Sequence, residues 1–231
     1  MPVLDVKDLK KGYVSPEGER HLVIDVPAFA MDDAEQVALQ GSSGSGKTTF
    51  LNLIAGILQP DNGVISVAGE CLTAQREAGR DRLRARHIGY VFQTFNLLQG
   101  YTALENVMLG MMFGRGTDTA YARALLERVG LRDRMTYRPR QLSVGQQQRV
   151  AVARALAGRP KLVLADEPTG NLDYHHAGEA LKLVREICRE NEAALLLVSH
   201  DRDILGQFER VQELSQINRA AGLPTGSEGE P

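Results

Sequence analysis

Two short stretches of the chain contain only apolar residues. Residues 162–165 read Leu-Val-Leu-Ala, and residues 195–198 read Leu-Leu-Leu-Val. A strand without alternation of apolar and polar positions is typical of a parallel sheet that is covered on both faces. Because parallel strands are joined by long crossover connections, usually helices, the two stretches predict an α/β fold with such a sheet at its centre.

The composition agrees with a folded chain of about one domain and restricts its environment. The 231 residues include 43% hydrophobic and 24% charged side chains, and the formal net charge is -2. A nearly neutral chain is a poor candidate for holding nucleic acid by bulk electrostatics, and two cysteines are too few for a disulfide framework. Residues 193–198 form the longest apolar run, whereas a membrane-spanning helix needs about 20 residues, and the N-terminus shows no signal-peptide pattern. We therefore expect a cytoplasmic protein with no nucleic-acid partner and no direct insertion into a membrane.

Strand and helix patterns divide the chain into a core and an inserted lobe. Besides the two apolar stretches, strand-like runs occur at residues 3–6, 22–26, 36–39, 64–67 and 88–92. Helical patterns occur at residues 47–55, 103–113, 119–129, 146–156 and 174–189. We predict a single domain over residues 1–223, with a core formed by residues 1–92 and 159–214, a helical lobe at about 93–158, and a disordered tail at 224–231.

A glycine-rich loop lies between the third strand-like run and the first helical pattern. From Gly41 to Thr48 the chain reads Gly-Ser-Ser-Gly-Ser-Gly-Lys-Thr, which fits the pattern G-x-x-x-x-G-K-[ST] of phosphate-binding loops. Glycines permit backbone angles that turn successive N–H groups into one concavity, and the helix that follows adds its positive end. Lys47 can bring a charge to the β- and γ-phosphates, and the Thr48 hydroxyl can bind Mg²⁺. A merely flexible loop is the alternative, but the flanking strand and helix favour phosphate binding.

Polar side chains follow both apolar stretches. Ligands of open α/β sheets collect at the carboxyl ends of the strands, where Asp166 can hold Mg²⁺. Glu167 points the other way and can face an attacking water as general base, although an isolated Asp-Glu pair is often a solvated turn. His200 can hydrogen-bond a γ-phosphate or that water. Taken alone, it is more simply a histidine at the start of a helix.

The segment at residues 142–150 identifies a family. It reads Leu-Ser-Val-Gly-Gln-Gln-Gln-Arg-Val and closely resembles the signature motif of ATP-binding-cassette (ABC) ATPases. By resemblance, Tyr13 is the aromatic residue that stacks on adenine, and Gln93 is the glutamine between the core and the helical lobe. Asp173 lies in the loop that communicates between two subunits, and His200 is the switch histidine.

The resemblance spans about residues 3–205 and implies both a fold and a set of functional residues. The implied fold is α/β, with a P-loop NTPase core that has a mixed, mainly parallel sheet, an N-terminal antiparallel β subdomain and an inserted helical subdomain. ATP and Mg²⁺ are the implied cofactors. The catalytic residues are Glu167, His200 and Lys47, and the Mg²⁺ ligands are Thr48, Gln93 and Asp166. The cofactor-binding residues are Tyr13, Gly41, Ser42, Ser43, Gly44, Ser45, Gly46, Lys47, Thr48, Thr49, Gln93, Ser143, Gly145, Gln146 and Asp173.

The signature segment has a physical rationale of its own. Ser143 and Gln146 have the spacing of a capping box, so a helix should begin there and present free N–H groups to an anion. The family implies that this end reaches the γ-phosphate on a second copy of the chain, giving a homodimer with two shared ATP sites. Val144 replaces the usual glycine, and valine does not readily adopt positive φ. Because Ser143 and Gly145 remain, we still expect activity.

The details of two motifs indicate the type of system. Residues 92–98 and 166–173 look like those of ATPases from lipoprotein-release and macrolide-export systems. This implies an ATPase that energises a transporter, with an integral membrane permease as partner and a place on the inner face of the cell membrane. A non-transport envelope or mechanical process driven through a permease-like partner is the alternative. Apolar side chains among residues 94–113 either contact the permease or form the core of the lobe: Phe95, Leu97, Leu98, Met108, Met111, Met112 and Phe113.

Overall fold

The computed structural model describes residues 2–42, 44–114, 116–170 and 174–220, with the backbone alone for residues 174–176. The elements within these residues are, in chain order, β1 (Leu4–Val14), β2 (Arg20–Met31), β3 (Gln36–Gln40), α1 (Lys47–Ile54), β4 (Asn62–Val67), β5 (Glu70–Cys71), α2 (Glu77–His87), β6 (Ile88–Val91), α3 (Ala103–Met112), α4 (Thr119–Arg128), α5 (Val144–Ala157), β7 (Leu162–Asp166), α6 (Tyr174–Glu190), β8 (Ala194–Ser199), α7 (Arg202–Leu205), β9 (Arg210–Glu213) and α8 (Leu214–Ile217). None of these helices is long and apolar enough to cross a membrane.

The central sheet contains five parallel strands in the order β6-β7-β8-β3-β9. Successive side chains of β7 enter two different apolar clusters. Leu162 and Leu164 pack with the residues of α1, whereas Val163 and Ala165 pack with those of α5 and α6. Helices therefore cover both faces of the sheet, which explains why the strand contains no polar side chain before its end.

The register of this sheet brings three strand ends to one edge. Gln40 at the end of β3 pairs with Ser199 at the end of β8, and Asp166 at the end of β7 pairs with Val198. The segments that follow the three strands consequently start side by side. They begin at Gly41, Glu167 and His200.

A second sheet is antiparallel, has the order β2-β1-β4-β5, and forms the N-terminal subdomain. Its strands β1 and β2 are much longer than the runs predicted at residues 3–6 and 22–26. The additional residues of β1 are mostly polar and exposed, so a pattern based on apolar side chains does not register them. In β2 the additional residues 27–31 are apolar but begin with proline, which argues against continuing a strand. The two sheets together confirm the predicted fold class.

The helices α3, α4 and α5 pack against one another as the predicted lobe. Their bounds agree with the predicted segments to within a few residues. A Cβ atom on Gly110 of α3 would lie 2.1 Å from the carbonyl oxygen of Arg154 on α5, so only glycine allows the two helices to approach this closely. The boundaries of core and lobe stay a prediction, and the predicted tail at residues 224–231 lies outside the described residues.

Among the described residues, five elements of the fold were not predicted. They are β5, α2, α7, β9 and α8. The helix α2 is rich in charged residues, and Leu83 is its one buried side chain, so it has no apolar stripe. The strand β9 has four residues, none of them buried, and it adds to the edge of the parallel sheet beside β3.

Candidate active site

The loop between β3 and α1 has the backbone conformation expected of a phosphate cradle. Gly44 and Gly46 have φ values of 78° and 94°, in the left-handed region that favours glycine. A Cβ atom on Gly46 would lie 3.0 Å from Ile24 Cδ1 and 3.2 Å from the carbonyl oxygen of Val23. No side chain of the described residues caps the N-terminus of α1, so its first N–H groups can face an anion. Ser43, also predicted to bind the nucleotide, lies outside the described residues.

The Lys47 side chain is only 8% exposed and is held on both sides. Its ammonium group donates hydrogen bonds of 2.9 Å to the carbonyl oxygens of Gly41 and Ser42. The same group lies 3.3 Å from Glu167 Oε1. The loop thus positions a positive charge directly opposite the carboxylate that follows β7.

Glu167 connects this ammonium to the histidine that follows β8. Its Oε2 lies 2.8 Å from Nδ1 of His200, whose side chain is 67% exposed. The Glu167 backbone has a φ of 41°, and its N–H donates to the carbonyl oxygen of Val198. A left-handed conformation is costly for a residue with a side chain, and such residues cluster at functional sites.

Asp166 is buried at the end of β7, beside Thr48 of the loop. Burial raises the pKa of its carboxyl group above the usual range. A hydrogen bond from the Thr48 hydroxyl and the charge of Lys47 act in the opposite direction, while the charge of Glu167 adds to the rise. A cation beside Asp166 would remove this penalty, because it would favour the ionised form.

These groups share one open cavity of about 610 Å³. It is lined by Val23, Ser42, Gly44, Gly46, Lys47, Thr48, Thr49, Gln93, Asp166, Glu167 and His200. All of these except Val23 were predicted from the sequence. Val23 belongs to β2, and no local motif marks it, because its place depends on how the antiparallel sheet meets the loop. Gly41 and Ser45 belong to the same loop, and the Ser45 hydroxyl is buried without a hydrogen-bond partner among the described residues.

The other predicted residues that the structure describes do not line this cavity. Tyr13 is exposed on β1, where it pairs with His21, and Lys11 Nζ is 5.7 Å from its ring centroid. A separate cavity of about 220 Å³ at the start of α5 is lined by Gly130, Leu131, Ser143, Gly145, Gln146, Gln148, Arg149, Glu179 and Ala180. Asp173 lies outside the described residues.

The start of α5 shows how the signature segment folds. The Gln146 N–H donates to Ser143 Oγ over 3.3 Å, and the Ser143 N–H donates to Gln146 Oε1 over 3.1 Å, which confirms the predicted capping box. Val144 is the first helical residue, its φ is not positive, and its side chain is half-exposed. The conformation at this position is one that valine adopts readily.

A phosphate cradle and a carboxylate pair on one edge of a parallel sheet define a P-loop NTPase. Comparison with known proteins gives the particular family. A family model described as ABC transporter matches residues 25–170. The lipoprotein-releasing system ATP-binding protein LolD of Pseudomonas syringae is 44% identical over 217 residues, which cover 92% of this chain and 94% of that protein. LolD of Rhodopseudomonas palustris is 40% identical over 215 residues, which cover 91% of each.

Solved structures agree with the sequence relatives. A dimeric ATP-binding cassette in a post-hydrolysis state, bound to ADP and Pi, superposes with a TM-score of 0.82 at 33% identity, covering 91% of this chain and 93% of that one. The chain therefore belongs to the ABC transporter family and is an ATP-hydrolysing subunit of a membrane transport system. The predicted family, fold class and ATPase activity are confirmed, whereas the roles of individual residues stay predictions.

Proposed function

We propose that two copies of this chain hydrolyse ATP between them and thereby drive lipoprotein release through an integral membrane permease. The observation that carries the proposal is the convergence of Lys47, Glu167 and His200 on one cavity beside an uncapped helix N-terminus. Positive charge and free N–H groups suit the phosphates, and a carboxylate opposite them suits an attacking water.

Glu167 is the general base of this reaction. It takes a proton from water as the water oxygen bonds to the γ-phosphorus, the bond from that phosphorus to the β-γ bridging oxygen breaks, and ADP and phosphate result. Lys47 and the loop N–H groups offset the charge on the phosphate oxygens. His200 orients the Glu167 carboxylate through the 2.8 Å contact, and its place in the lining of the cavity suits a hydrogen bond to the γ-phosphate. Tyr13 stacks on the adenine ring from the β1 side.

Thr48, Gln93 and Asp166 are suited to Mg²⁺. All three line the cavity and supply oxygen atoms, the ligands that this cation prefers. The described residues contain no group of three or more His, Cys, Asp or Glu side chains that could hold a metal, so the protein would share the ion with phosphates and water. When bound, Mg²⁺ supplies positive charge against the β- and γ-phosphate oxygens.

The second copy supplies Ser143, Gly145 and Gln146. Within one chain these residues line a cavity separate from that of Lys47, so they would meet a nucleotide across a subunit interface. The dimeric form of the similar cassette bound to ADP and Pi supports this arrangement. The helical conformation at Val144 supports activity despite the departure from the usual glycine.

The permease contact belongs to the exposed part of the apolar set at residues 94–113. Phe95, Leu97 and Met111 are buried in the lobe. Leu98, Met112 and Phe113 are exposed, and Phe113 reaches 77%. The names of the relatives support a lipoprotein-releasing system. We propose that the permease holds this chain at the inner face of the cell membrane.

The test is a Glu167→Gln variant of the purified chain. It should retain ATP binding and form a stable dimer on size-exclusion chromatography with ATP, while turnover falls at least about 100-fold because the base is missing. Wild-type turnover in this variant would overturn the role of Glu167. Recovery of the wild-type chain from membranes without any integral membrane protein would overturn the proposal that a permease is its partner.

A further inference from the structure

The segment that follows Gln93 has an unusual backbone. Phe95 and Asn96 are consecutive, neither is glycine, and both are left-handed, with φ values of 56° and 48°. Such residues cost conformational free energy and persist where the surroundings hold them. The Phe95 side chain is buried in the core of the lobe, which fixes the chain on one side.

Arg154 of α5 holds this segment on the other side. Its two terminal nitrogens donate hydrogen bonds of 2.6 Å to the carbonyl oxygens of Asn96 and Phe95. Among the described residues Arg154 has no carboxylate partner, and burial lowers the pKa of its guanidinium. The partly buried guanidinium thus donates to two carbonyl groups of one turn, at the two residues with left-handed backbone. Charge-assisted hydrogen bonds of this kind are strong.

The place of α5 gives this contact a functional direction. Three contacts are spaced along the helix. Ser143 caps its N-terminus, and Gln148 donates a hydrogen bond to the carbonyl oxygen of Pro168, the residue after Glu167. Arg154 reaches the segment after Gln93 near the C-terminal end. The close packing of α3 at Gly110 holds the backbone of Arg154 in place.

We propose that Arg154 is a positioning residue that fixes residues 92–97, the Gln93 loop, to α5. Gln93 then keeps its place in the cavity and moves together with the helix that begins at Ser143. The chain from Val91 at the end of β6 to Phe95 is short. Fixing both of its ends therefore restricts where Gln93 can lie. The inference rests on the proposed role of Gln93 toward Mg²⁺.

The test is Arg154→Lys, since a lysine keeps the charge but cannot donate in the fork geometry of a guanidinium. Hydrogen exchange of the peptide at 92–97 should accelerate, and kcat should fall about 10- to 100-fold, as expected when a ligating group is misplaced by about an ångström. ATP affinity without Mg²⁺ should stay within about twofold, because Arg154 does not touch the Lys47 loop. The matched control is Arg132→Lys on the surface of the lobe, which is 78% exposed and should change none of the three.

Other outcomes decide against the anchor, by which we mean the contact of Arg154 with the carbonyl groups of Phe95 and Asn96. Unchanged exchange of residues 92–97, or a loss of Mg²⁺-free ATP affinity as large as the loss of kcat, would overturn it. Wild-type kcat in Arg154→Lys would overturn it if Gln93→Ala lowers kcat. Gln93→Ala separates the two proposals. If it leaves kcat unchanged, the role of Gln93 is wrong, while the exchange of residues 92–97 in Arg154→Lys still reports on the anchor. If Gln93→Ala lowers kcat, Arg154→Lys in that background should lower it little further, and a full second loss would overturn the inference.

A loop-side pair of variants keeps the inference testable if Arg154→Lys fails to fold. Asn96 is exposed, so changing it leaves the core intact. Valine disfavours positive φ and glycine permits it. Asn96→Val should therefore accelerate loop exchange and lower kcat more than Asn96→Gly, and equal behaviour of the two variants would overturn the proposal.

Discussion

Backbone N–H groups at two helix N-termini can face an anion: those of α1 at the edge of the parallel sheet, and those at the start of α5. The two regions are built differently. At the sheet edge, Lys47 and Asp166 are buried, and Lys47 contacts Glu167 across the cavity. At the start of α5, Ser143 is exposed, and its hydroxyl accepts from the N–H of Gln146 within the capping box. The contacts of the first region lie within one chain, whereas we propose that those of the second are made to a nucleotide on another copy of the chain.

The largest expected effect comes from a substitution at the edge of the parallel sheet. Lys47→Ala removes the ammonium that faces Glu167 and holds the carbonyl groups of Gly41 and Ser42. We expect ATP affinity to fall at least about 100-fold, because the buried ammonium that would make charge-assisted hydrogen bonds to the phosphates is lost and the charge of Glu167 then faces them without it. Isothermal titration calorimetry with ATP measures this. Nearly wild-type affinity would show that the cavity does not bind the phosphates.

An intermediate effect is expected from a substitution at the start of α5. Ser143→Ala should lower turnover about 10-fold or more while ATP affinity in the monomer stays unchanged, because the hydroxyl acts only across the dimer. Loss of the cap should also reduce the free energy of unfolding by about 1 kcal/mol.

Thr102 provides the matched control for this variant. It caps α3 with the same arrangement, since it accepts from the N–H of Glu105. Thr102→Ala should cost about the same stability without lowering turnover. If both variants lose turnover equally, the effect of Ser143 is only on helix stability.

The smallest expected effect concerns the hairpin formed by β1 and β2, on which Tyr13 lies. Like the start of α5 it has exposed residues, and like the sheet edge it is held by contacts between charged side chains. The Asp61 carboxylate accepts hydrogen bonds from the backbone of Gly12 and from the side chains of Arg20 and Lys11. The Gly12 bond contributes most, and together these groups lower the pKa of Asp61 from 3.8 to about 2.

This network should stabilise the fold only while Asp61 is ionised. A depressed pKa contributes stability above the unfolded value near pH 4, and the contribution disappears as the pH falls toward 2. Asp61→Asn should cost on the order of 1 kcal/mol at pH 7, after allowing for solvent screening. The difference from the wild type in urea unfolding should shrink between pH 4 and pH 2.5. A difference independent of pH would contradict this account.

The sheet-edge residues were predictable because two general rules combine there. Apolar runs identified β7 and β8, and parallel strands must end at a common edge, so Asp166, Glu167 and His200 could be assigned to one place without a structure. Register and depth could not be obtained in this way. The contact between His200 and Glu167 depends on how β7 and β8 align, which no local pattern encodes.

The parts that escaped prediction share a physical cause. The helix α2 has almost no apolar face, and Val23 and Asp61 act only through partners far away in the chain. Arg154 lies in an ordinary helical pattern, and its importance comes from the strained carbonyl groups that it meets. Local periodicity reports burial along one element, whereas these features arise from contacts between elements.

The position of β3 has a consequence for the synthesis of the protein. Its two neighbours in the sheet, β8 and β9, both lie near the C-terminus, and Gln36 pairs with Leu195. The strands β1 and β2 are neighbours in the chain, but β3 cannot complete its pairing until residues 194–213 have been made. We therefore expect the phosphate cradle, which follows β3, to form late, because a chain truncated before β8 lacks both sheet neighbours of β3.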